Sequence, residues 1–366
     1  MTTQPSLRTR HPYYMYDMMT AQPKAVARVL SEESDSIAEL AERLGAIDRI
    51  HIVGIGTSWH AALVGEFYLR QIAGRDDVRS WNSFEFCAYP PALGPSDAVI
   101  VLSHRGTKRY SARALELAKS AGAYTAVFTG IGSAARTDLA RHVIHTSIPD
   151  RSSAFTISHT AAMTCLAMLA IELGAGASRP GAQQHKSDLQ DLPLLMTQAL
   201  SLEAEVHKLA VETRQAQRFY FTGWGPNAST AYEVALKIKE SSYLATEGFQ
   251  MEQYLHGPFV ATHEGCVVTF IAPPGAGYSR VVQLAKAVNE TGGMAVGLVE
   301  AGDTELSKVL SRAIELPTVQ EFLTPLLYLV PLQMFTYWLA VESGRNPDTF
   351  RLDDPMHQSA RENYEL

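Results

Sequence analysis

Cysteine is scarce in this chain of 366 residues: Cys87, Cys165 and Cys266 are the three it has, and they lie far apart. Three thiols are too few for a disulfide framework, and no two of them have the short spacing of a metal-binding motif. We therefore expect a protein of a reducing compartment, the cytoplasm.

An excess of positive charge is also missing, because 31 Lys and Arg face 38 Asp and Glu. This balance argues against binding to nucleic acid.

The first residues lack the apolar core and cleavage site of a signal peptide, so we expect them to be retained. A single run, residues 322–341, approaches membrane length, but it contains Pro325, Pro331 and Gln333. We predict a buried core helix there and no membrane association.

Short apolar runs alternate with helical patterns in both halves of the chain. They occupy residues 51–56, 98–103 and 124–130, and then 219–225, 266–273 and 293–299. Corresponding runs lie about 168 or 169 residues apart, which indicates an internal duplication. The alternation predicts two α/β domains, each with a parallel sheet flanked by helices.

The same patterns divide the chain into five segments. We predict an N-terminal helical segment over residues 1–46, a first domain over 47–174, a linker over 175–188, a second domain over 189–348 and a C-terminal tail over 349–366. The linker is inferred from a Gly-rich and polar stretch without apolar periodicity. We expect the N-terminal helices to pack outside the first sheet.

Two turns after predicted strands of the first half are candidate anion sites, because ligands of open parallel sheets bind beyond the carboxyl ends of the strands. The first turn, GIGTS at residues 54–58, brings two hydroxyl groups to a helix start, although an ordinary helix cap explains it equally well. It is not a dinucleotide fingerprint, since Trp59 and His60 stand where small residues are needed. This argues against a nicotinamide-dependent enzyme.

The second turn, SHRGTK at residues 103–108, brings cations and hydroxyl groups together after a buried strand. Arg105 and Lys108 would hold a phosphate, sulfonate or carboxylate through charge-assisted hydrogen bonds. The alternative is an exposed basic turn that binds nothing.

In the second half, Glu233, Lys237 and Glu240 share one face of a predicted helix, whereas Lys239 points elsewhere. Exposed ion pairs would ordinarily explain such a face. His256 precedes a Gly-Pro break, and an isolated histidine is more often structural than catalytic.

Together these segments resemble the sugar isomerase (SIS) family, and within it the isomerase half of glucosamine-6-phosphate synthase and its stand-alone relatives. The resemblance is carried by YDMMTAQPKAV near the start, GTS at 56–58, SFEF at 83–86, the Ser-x-x-Gly turn at 103–106, EVALKIKESSY at 233–243, HGP at 256–258 and PLLYLVPLQ at 325–333. It implies two tandem SIS domains of the flavodoxin-like α/β type in a homodimer. It also implies a phosphosugar substrate and neither a metal nor a redox cofactor.

The resemblance further implies roles for individual residues. Glu240 matches the family's proton-shuttling glutamate, and His256 matches its ring-opening histidine, which relatives supply from the neighbouring subunit. Substrate-binding roles are implied for Gly56, Thr57, Ser58, Ser103, His104, Arg105, Gly106, Thr107, Lys108, Ser153, Glu233, Lys237 and Arg361. The implied enzyme is an aldose-ketose isomerase or a deaminase of an aminosugar phosphate that works through an enediol or enamine.

Three departures from the family leave the reaction open. The family's phosphate turn is Ser-Gln-Ser-Gly-x-Thr, so His104, Arg105 and Lys108 make this turn more cationic, either for a tighter phosphate grip or for an extra acid group. The family's Ala-Ser-Thr-Lys segment is Ala-Phe-Thr-Ile at residues 154–157. Arg361 is the best match to a tail lysine that forms an imine, which an arginine cannot do.

A glutamine-hydrolysing domain is not expected, because only about 50 residues precede the first predicted strand. Ammonia would therefore not come from glutamine. A fructosamine-6-phosphate deglycase and a sugar-phosphate sensor without catalysis remain alternatives to the isomerase or deaminase.

Overall fold

The computed structural model describes residues 7–364, which form two compact units. The N-terminal unit consists of Ala21–Asp150 and Thr156–Pro193, and the C-terminal unit of residues 7–20, Arg151–Phe155 and residues 194–364. Each unit contains one five-stranded parallel sheet flanked by helices. The predicted fold class, two α/β domains of flavodoxin-like architecture, is therefore confirmed.

The secondary structure of the two units follows the same sequence of elements. The strands are β1 (Arg49–Gly54), β2 (Val78–Asn82), β3 (Asp97–Leu102), β4 (Tyr124–Thr129), β5 (His142–His145), β6 (Arg218–Gly223), β7 (Thr246–Gln250), β8 (Cys266–Ala272), β9 (Met294–Glu300) and β10 (Arg312–Leu316). The helices are α1 (Tyr14–Thr20), α2 (Gln22–Glu32), α3 (Ser34–Gly45), α4 (Thr57–Gln71), α5 (Ser83–Ala88), α6 (Arg109–Ser120), α7 (Ile157–Gly176), α8 (Ala182–Leu200), α9 (Glu203–Thr213), α10 (Asn227–Ser242), α11 (Met251–Leu255), α12 (Tyr278–Glu290), α13 (Thr324–Leu327), α14 (Leu329–Glu342) and α15 (Pro355–Arg361). Short 3-10 helices cover Thr137–Leu139, Pro258–Ala261, Leu306–Lys308 and Glu321–Leu323.

In the N-terminal unit the strand order is β2-β1-β3-β4-β5, with every neighbouring pair parallel. The chain moves outward from β1 to β2 and then returns to place β3 on the other side of β1. This reversal is a topological switch point, and ligands of such sheets bind there, outside the carboxyl ends of the two strands. The turns after β1 and β3 therefore adjoin at one edge of the sheet.

The central strands form because their side chains are apolar on both faces. Every residue of β3 is buried, and helices cover the sheet on either side. One core cluster joins Val53, Val99 and Val101 of the sheet to Phe86 of α5 and Leu115 of α6. This packing holds the ends of β1 and β3 in fixed positions.

The C-terminal unit repeats this topology, since its strand order of β7-β6-β8-β9-β10 has its switch point between β6 and β8. Its core cluster includes Tyr220, Val268, Phe270 and Val299 from the sheet and Leu284 from α12. The repeated order agrees with the duplication inferred from sequence spacing.

Two details of the prediction differ from the structure. Residues 182–188, which we placed in the linker, belong to α8, whose buried Leu189, Leu192 and Met196 recur at helical spacing just beyond the polar stretch. The N-terminal helices do not all pack on the first sheet's unit: α2 and α3 contact α7, whereas α1 contacts α14 in the C-terminal unit.

Two segments, Ile157–Gly176 and Glu321–Glu342, are long and apolar enough to cross a membrane by composition. They are 94% and 100% buried within the structure, respectively. The second contains the run at 322–341, which is buried as predicted but forms three consecutive pieces, the 3-10 helix Glu321–Leu323, α13 and α14, instead of one helix.

Candidate active site

The GIGTS turn links β1 to α4 through two glycines with different tasks. Gly54 is packed so closely that a Cβ on it would lie 2.4 Å from the backbone carbon and oxygen of Ser58. Gly56 has a φ of 57° and is the N-cap residue of α4. Thr57 and Ser58 thus form the first turn of α4, and the N-cap has no side chain to bond to that turn.

The SHRGTK turn follows β3 and precedes α6, whose N-cap residue is Lys108. A lysine side chain has no acceptor, so α6 also begins without a side-chain cap. Both main-chain polar groups of Ser103 form hydrogen bonds. Its N–H donates to the Phe128 carbonyl, and its carbonyl accepts from the Thr129 hydroxyl. Two helix N-termini at one sheet edge, with Lys108 and Arg105 beside them, make this edge electropositive.

Arg105 and Gly106 are fixed by the loop that follows β4. The Arg105 carbonyl accepts from the N–H of Ala134 at 3.2 Å, and Arg105 Nη2 donates to the carbonyl of Asp150 at 3.0 Å. Gly106 has a φ of 69°, and a Cβ there would lie 2.0 Å from the Ala135 nitrogen. Burial lowers the pKa of the Arg105 guanidinium, and the Asp150 carboxylate opposes that effect. Arginine remains charged at neutral pH all the same.

His104 lies behind this turn, not on its surface. It is 8% exposed, and its Nδ1 and Nε2 atoms lie 3.2 Å from Thr146 Oγ1 and 3.3 Å from the Asp150 nitrogen. Thr107, by contrast, is exposed, and Arg105 and Lys108 are half-buried. The turn therefore combines one inward-facing side chain with several that reach its surface.

In the C-terminal unit, α10 brings Glu233, Lys237 and Glu240 into one ionic cluster. Lys237 Nζ lies 3.5 Å from Glu233 Oε1 and hydrogen bonds to Glu240 Oε2. The side chains of Glu233 and Lys237 are 0% and 1% exposed, and that of Glu240 is 14% exposed. The alternative interpretation of this face as exposed ion pairs is therefore wrong, although Lys239 does point to solvent.

Within this cluster the Glu240 side chain is partly exposed to solvent, whereas the Glu233 side chain is buried. The ammonium of Lys237 lies next to both carboxyl groups. Because Glu240 alone of the three is partly accessible, it is the member that a small molecule can reach. An ionised carboxylate held in one orientation is suited to accept a proton from carbon.

His256 follows α11 and is not a buried structural histidine. Its imidazole is 73% exposed, and Nδ1 lies 2.8 Å from the Glu252 carbonyl oxygen. The adjoining 3-10 helix exposes Val260 to 89%. The structure therefore exposes an imidazole and, four residues later, an apolar side chain to solvent.

The remaining predicted residues lie in segments without extended secondary structure or near the chain end. Ser153 is half-buried in the stretch Arg151–Phe155. Arg361 ends α15 and lies over the ring of Tyr364, 4.9 Å from its centroid. Its Nη1 atom is buried and has no hydrogen-bond acceptor within residues 7–364. A guanidinium nitrogen in that situation is suited to an oxygen of a bound molecule.

Sequence reasoning missed Asp150. Its carboxylate oxygens accept from the Thr156 and Ser158 N–H groups at 3.0 and 3.1 Å, at the start of α7, while its main chain contacts His104 and Arg105. An acidic residue shortly before a helix was the available signal. Between residues 7 and 364, no group of three or more His, Cys, Asp or Glu side chains is arranged to hold a metal ion.

Comparison with known proteins relates this geometry to a family. The SIS domain model matches residues 44–172 and 212–343, one copy in each half. An isomerizing glutamine–fructose-6-phosphate aminotransferase of Pyrococcus horikoshii is 32% identical over 340 residues, which is 92% of this chain and 56% of that protein. The chain thus spans little more than half of the curated relatives it matches.

Two solved structures share the fold. The C-terminal domain of glucosamine-fructose-6-phosphate aminotransferase from Francisella tularensis has a TM-score of 0.84 at 19% identity and covers 92% of this chain and 98% of its own. A glucosamine-6-phosphate deaminase from Thermotoga maritima has a TM-score of 0.75 at 17% identity, covering 92% and 97%. Because two copies of the SIS domain model together match well over half of its length, this chain belongs to the SIS domain family.

Proposed function

We propose that this protein is an enzyme that acts on an aminosugar phosphate or a related sugar phosphate, as an isomerase or a deaminase. The observation that carries the proposal is the buried Lys237 between Glu233 and Glu240, in which the Glu240 carboxyl group alone is partly accessible to solvent. The names of the relatives, an isomerizing aminotransferase and a deaminase, support the same substrate class.

The phosphate group would bind at the switch point between β1 and β3. Gly56, Thr57 and Ser58 offer N–H and hydroxyl donors from the start of α4. The second turn adds the hydroxyl groups of Ser103 and Thr107 and the N–H group of Gly106. The cations of this turn are Arg105 and Lys108. Helix N-termini and cations together are the usual way in which proteins hold a phosphate ester.

The reaction would be a proton transfer between neighbouring carbons. Glu240 takes the proton from the carbon next to the carbonyl, which leaves an enediol or, for an aminosugar, an enamine. Return of the proton to the other carbon completes an isomerisation. Attack of water on the corresponding imine carbon expels ammonia and leaves a ketose phosphate. Lys237 and Glu233 fix the position of Glu240 during these steps.

His256 would open the sugar ring in the site of a second subunit. An exposed imidazole on a loop that ends in the exposed Val260 is placed to enter a neighbouring molecule. This requires a homodimer with shared active sites.

The C-terminal tail would add Arg361, which would bind sugar oxygens. Ser153 would line the sugar site. The free thiols of the three cysteines fit a reducing compartment such as the cytoplasm.

The test is a panel of hexosamine, ketose and fructosamine 6-phosphates incubated with the full chain, with ammonia release and carbonyl migration measured. Glu240→Gln should lower kcat by about 10²-fold or more while phosphosugar binding changes by less than about threefold, because only the proton acceptor is lost. Glu247→Gln, a nearby exposed glutamate on β7, is the matched control and should retain full activity.

Each outcome separates one function from the others. Full turnover by Glu240→Gln contradicts the mechanism. Cleavage of fructosamine 6-phosphates alone identifies a deglycase. Melting temperatures raised by sugar phosphates without product from any of them identify a sensor.

A further inference from the structure

His104 occupies a position in the anion turn at which the family pattern has glutamine, yet its imidazole is enclosed by protein. The ring packs against the backbone after β4, since a Cβ on Gly130 would lie 2.8 Å from His104 Cε1. The Gly130 N–H donates to the His104 carbonyl at 2.9 Å. The side chain therefore lies behind the turn, and an anion on the surface of the turn does not need to touch it.

The partners of the ring determine where its proton is. The Asp150 N–H group can only donate, so Nε2 of His104 accepts from it at 3.3 Å. The proton then lies on Nδ1, which donates to Thr146 Oγ1 at 3.2 Å. The Thr146 hydroxyl in turn donates to the Thr129 carbonyl at 3.1 Å. When the imidazole is neutral, each of these three hydrogen bonds has one donor and one acceptor.

The same contact connects His104 to the cation of the turn. Asp150 bonds to His104 through its N–H and to Arg105 Nη2 through its carbonyl at 3.0 Å. Its carboxylate is held by the N–H groups of Thr156 and Ser158 at the start of α7. Asp150 therefore transmits the position of the His104 ring and of α7 to the Arg105 guanidinium.

We propose that neutral His104 is a positioning residue that orients Arg105 through the backbone of Asp150 and thereby sets the affinity of the turn for an anionic substrate group. This rests on the proposed function only in that the turn binds an anion. The substrate's phosphate contacts Arg105 and Lys108, and His104 is not one of its ligands.

Protonation of the ring would break this arrangement. A second ring N–H, on Nε2, would face the Asp150 N–H, and the Asp150 carboxylate lies 3.9 Å from Nε2. The charged and polar groups around the ring are Asp150, Arg105 and the Ile148 carbonyl. Burial lowers the pKa of His104 below its ordinary 6.5, opposed by Asp150 and reinforced by Arg105. The neutral ring is therefore the form present at neutral pH, and anion affinity falls only at a pH below the range in which an ordinary histidine takes up its proton.

Calorimetric titration of the full chain from pH 4 to pH 8 tests this, with glucose 6-phosphate and glucose 6-sulfate as probes. The sulfate ester keeps its charge over that range, so any change in its affinity belongs to the protein. We expect the wild-type affinity for the sulfate to stay constant between pH 8 and pH 6.5 and to fall about tenfold at the lower pH at which the ring becomes protonated. His145→Gln, an exposed histidine of β5, is the control and should keep the wild-type profile.

Two substitutions at the site separate positioning from packing. His104→Gln keeps an acceptor near the Asp150 N–H but does not titrate, so it should bind within about threefold of wild type at pH 7.5 and lose the pH dependence. His104→Ala should lose about tenfold in affinity at pH 7.5. Its folding is checked by thermal melting, and if it does not fold, the comparison of His104→Gln with wild type decides.

The outcomes distinguish this inference from the proposed function. A wild-type sulfate affinity that does not change with pH, a His104→Gln profile that follows wild type, or a folded His104→Ala that binds as tightly as wild type each overturns the positioning role while leaving anion binding intact. Failure of the wild-type chain to bind either ester at any pH overturns the anion site itself, and the inference with it.

Discussion

At the scale of single residues, Lys237 places a positive charge in the interior of the C-terminal unit, where its side chain is 1% exposed. Taking an ammonium group out of water costs several kcal/mol unless opposite charges surround it. Glu233 and Glu240 supply those charges from the same helix. The burial of the ammonium and the orientation of the Glu240 carboxyl group are therefore coupled.

Replacing Lys237 by Met should lower the free energy of unfolding by about 3–5 kcal/mol, because the Glu233 carboxylate is left buried without its cation. Thermal and urea unfolding measure the loss. Lys239→Met, an exposed lysine two residues along α10, is the control and should change stability by less than about 0.5 kcal/mol.

A Glu233→Gln/Lys237→Met double variant removes both buried charges and should recover most of that stability without recovering turnover. Equal losses in the single and the double variant would show that the cluster is not held by charge pairing.

At the scale of elements, the junction between β1 and α4 depends on a close backbone approach. A Cβ at Gly54 would lie 2.4 Å from the Ser58 carbon and oxygen, so the first turn of α4 would have to move away from the strand. That turn carries Thr57 and Ser58, which we assign to phosphate binding. The junction thus links the stability of the unit to the shape of the turn for which we propose phosphate binding.

Gly54→Ala should destabilise the protein by about 1–3 kcal/mol and weaken binding of glucose 6-phosphate at least tenfold. The control is Gly45→Ala at the end of α3, where a Cβ meets nothing within 4 Å and no loss of binding is expected. Chemical denaturation and calorimetric titration measure the two effects. Wild-type binding in a folded Gly54→Ala variant would remove the GIGTS turn from the site.

At the scale of the whole molecule, duplication has produced two sheets of the same topology with different turns at their switch points. In the C-terminal unit the turn after β6 contains Trp224, which is 6% exposed. A Cβ on Gly277, in the turn after β8, would lie 2.4 Å from the indole ring. Trp224 therefore fills the position that corresponds to the proposed anion site of the N-terminal unit. The corresponding turns contain no lysine or arginine between residues 223 and 227 or between 272 and 277.

We accordingly expect a single sugar-phosphate site per chain. Calorimetry with glucose 6-phosphate should saturate at about one equivalent, and an Arg105→Gln/Lys108→Gln variant should bind at least about a hundredfold more weakly because two charge-assisted contacts are lost. Lys286→Gln on α12 of the C-terminal unit is the control and should bind like wild type. Two equivalents, or binding that survives the double substitution, would place an anion site in the second unit.

The sequence alone determined the features that depend on local pattern. Apolar runs identified β1, β3, β4, β6, β8 and β9 because central strands of a covered parallel sheet are apolar on both faces. The spacing between the runs indicated the duplication. The sequence did not reveal the four edge strands, β2, β5, β7 and β10. These strands are short and carry exposed or half-buried polar side chains, so they lack a continuous apolar run.

Tertiary structure decided how each candidate residue is used. The pattern of residues 233–240 is the same for a solvated ion-pair face and for a buried ionic cluster, and only the packing around α10 distinguishes the two. His104 was grouped with Arg105 because they are neighbours in sequence, yet the fold turns one inward and leaves the other half-buried. The burial and the hydrogen-bond partners of a side chain depend on residues that are distant in sequence, such as Thr146 and Asp150 for His104. The local sequence pattern therefore does not predict these contacts.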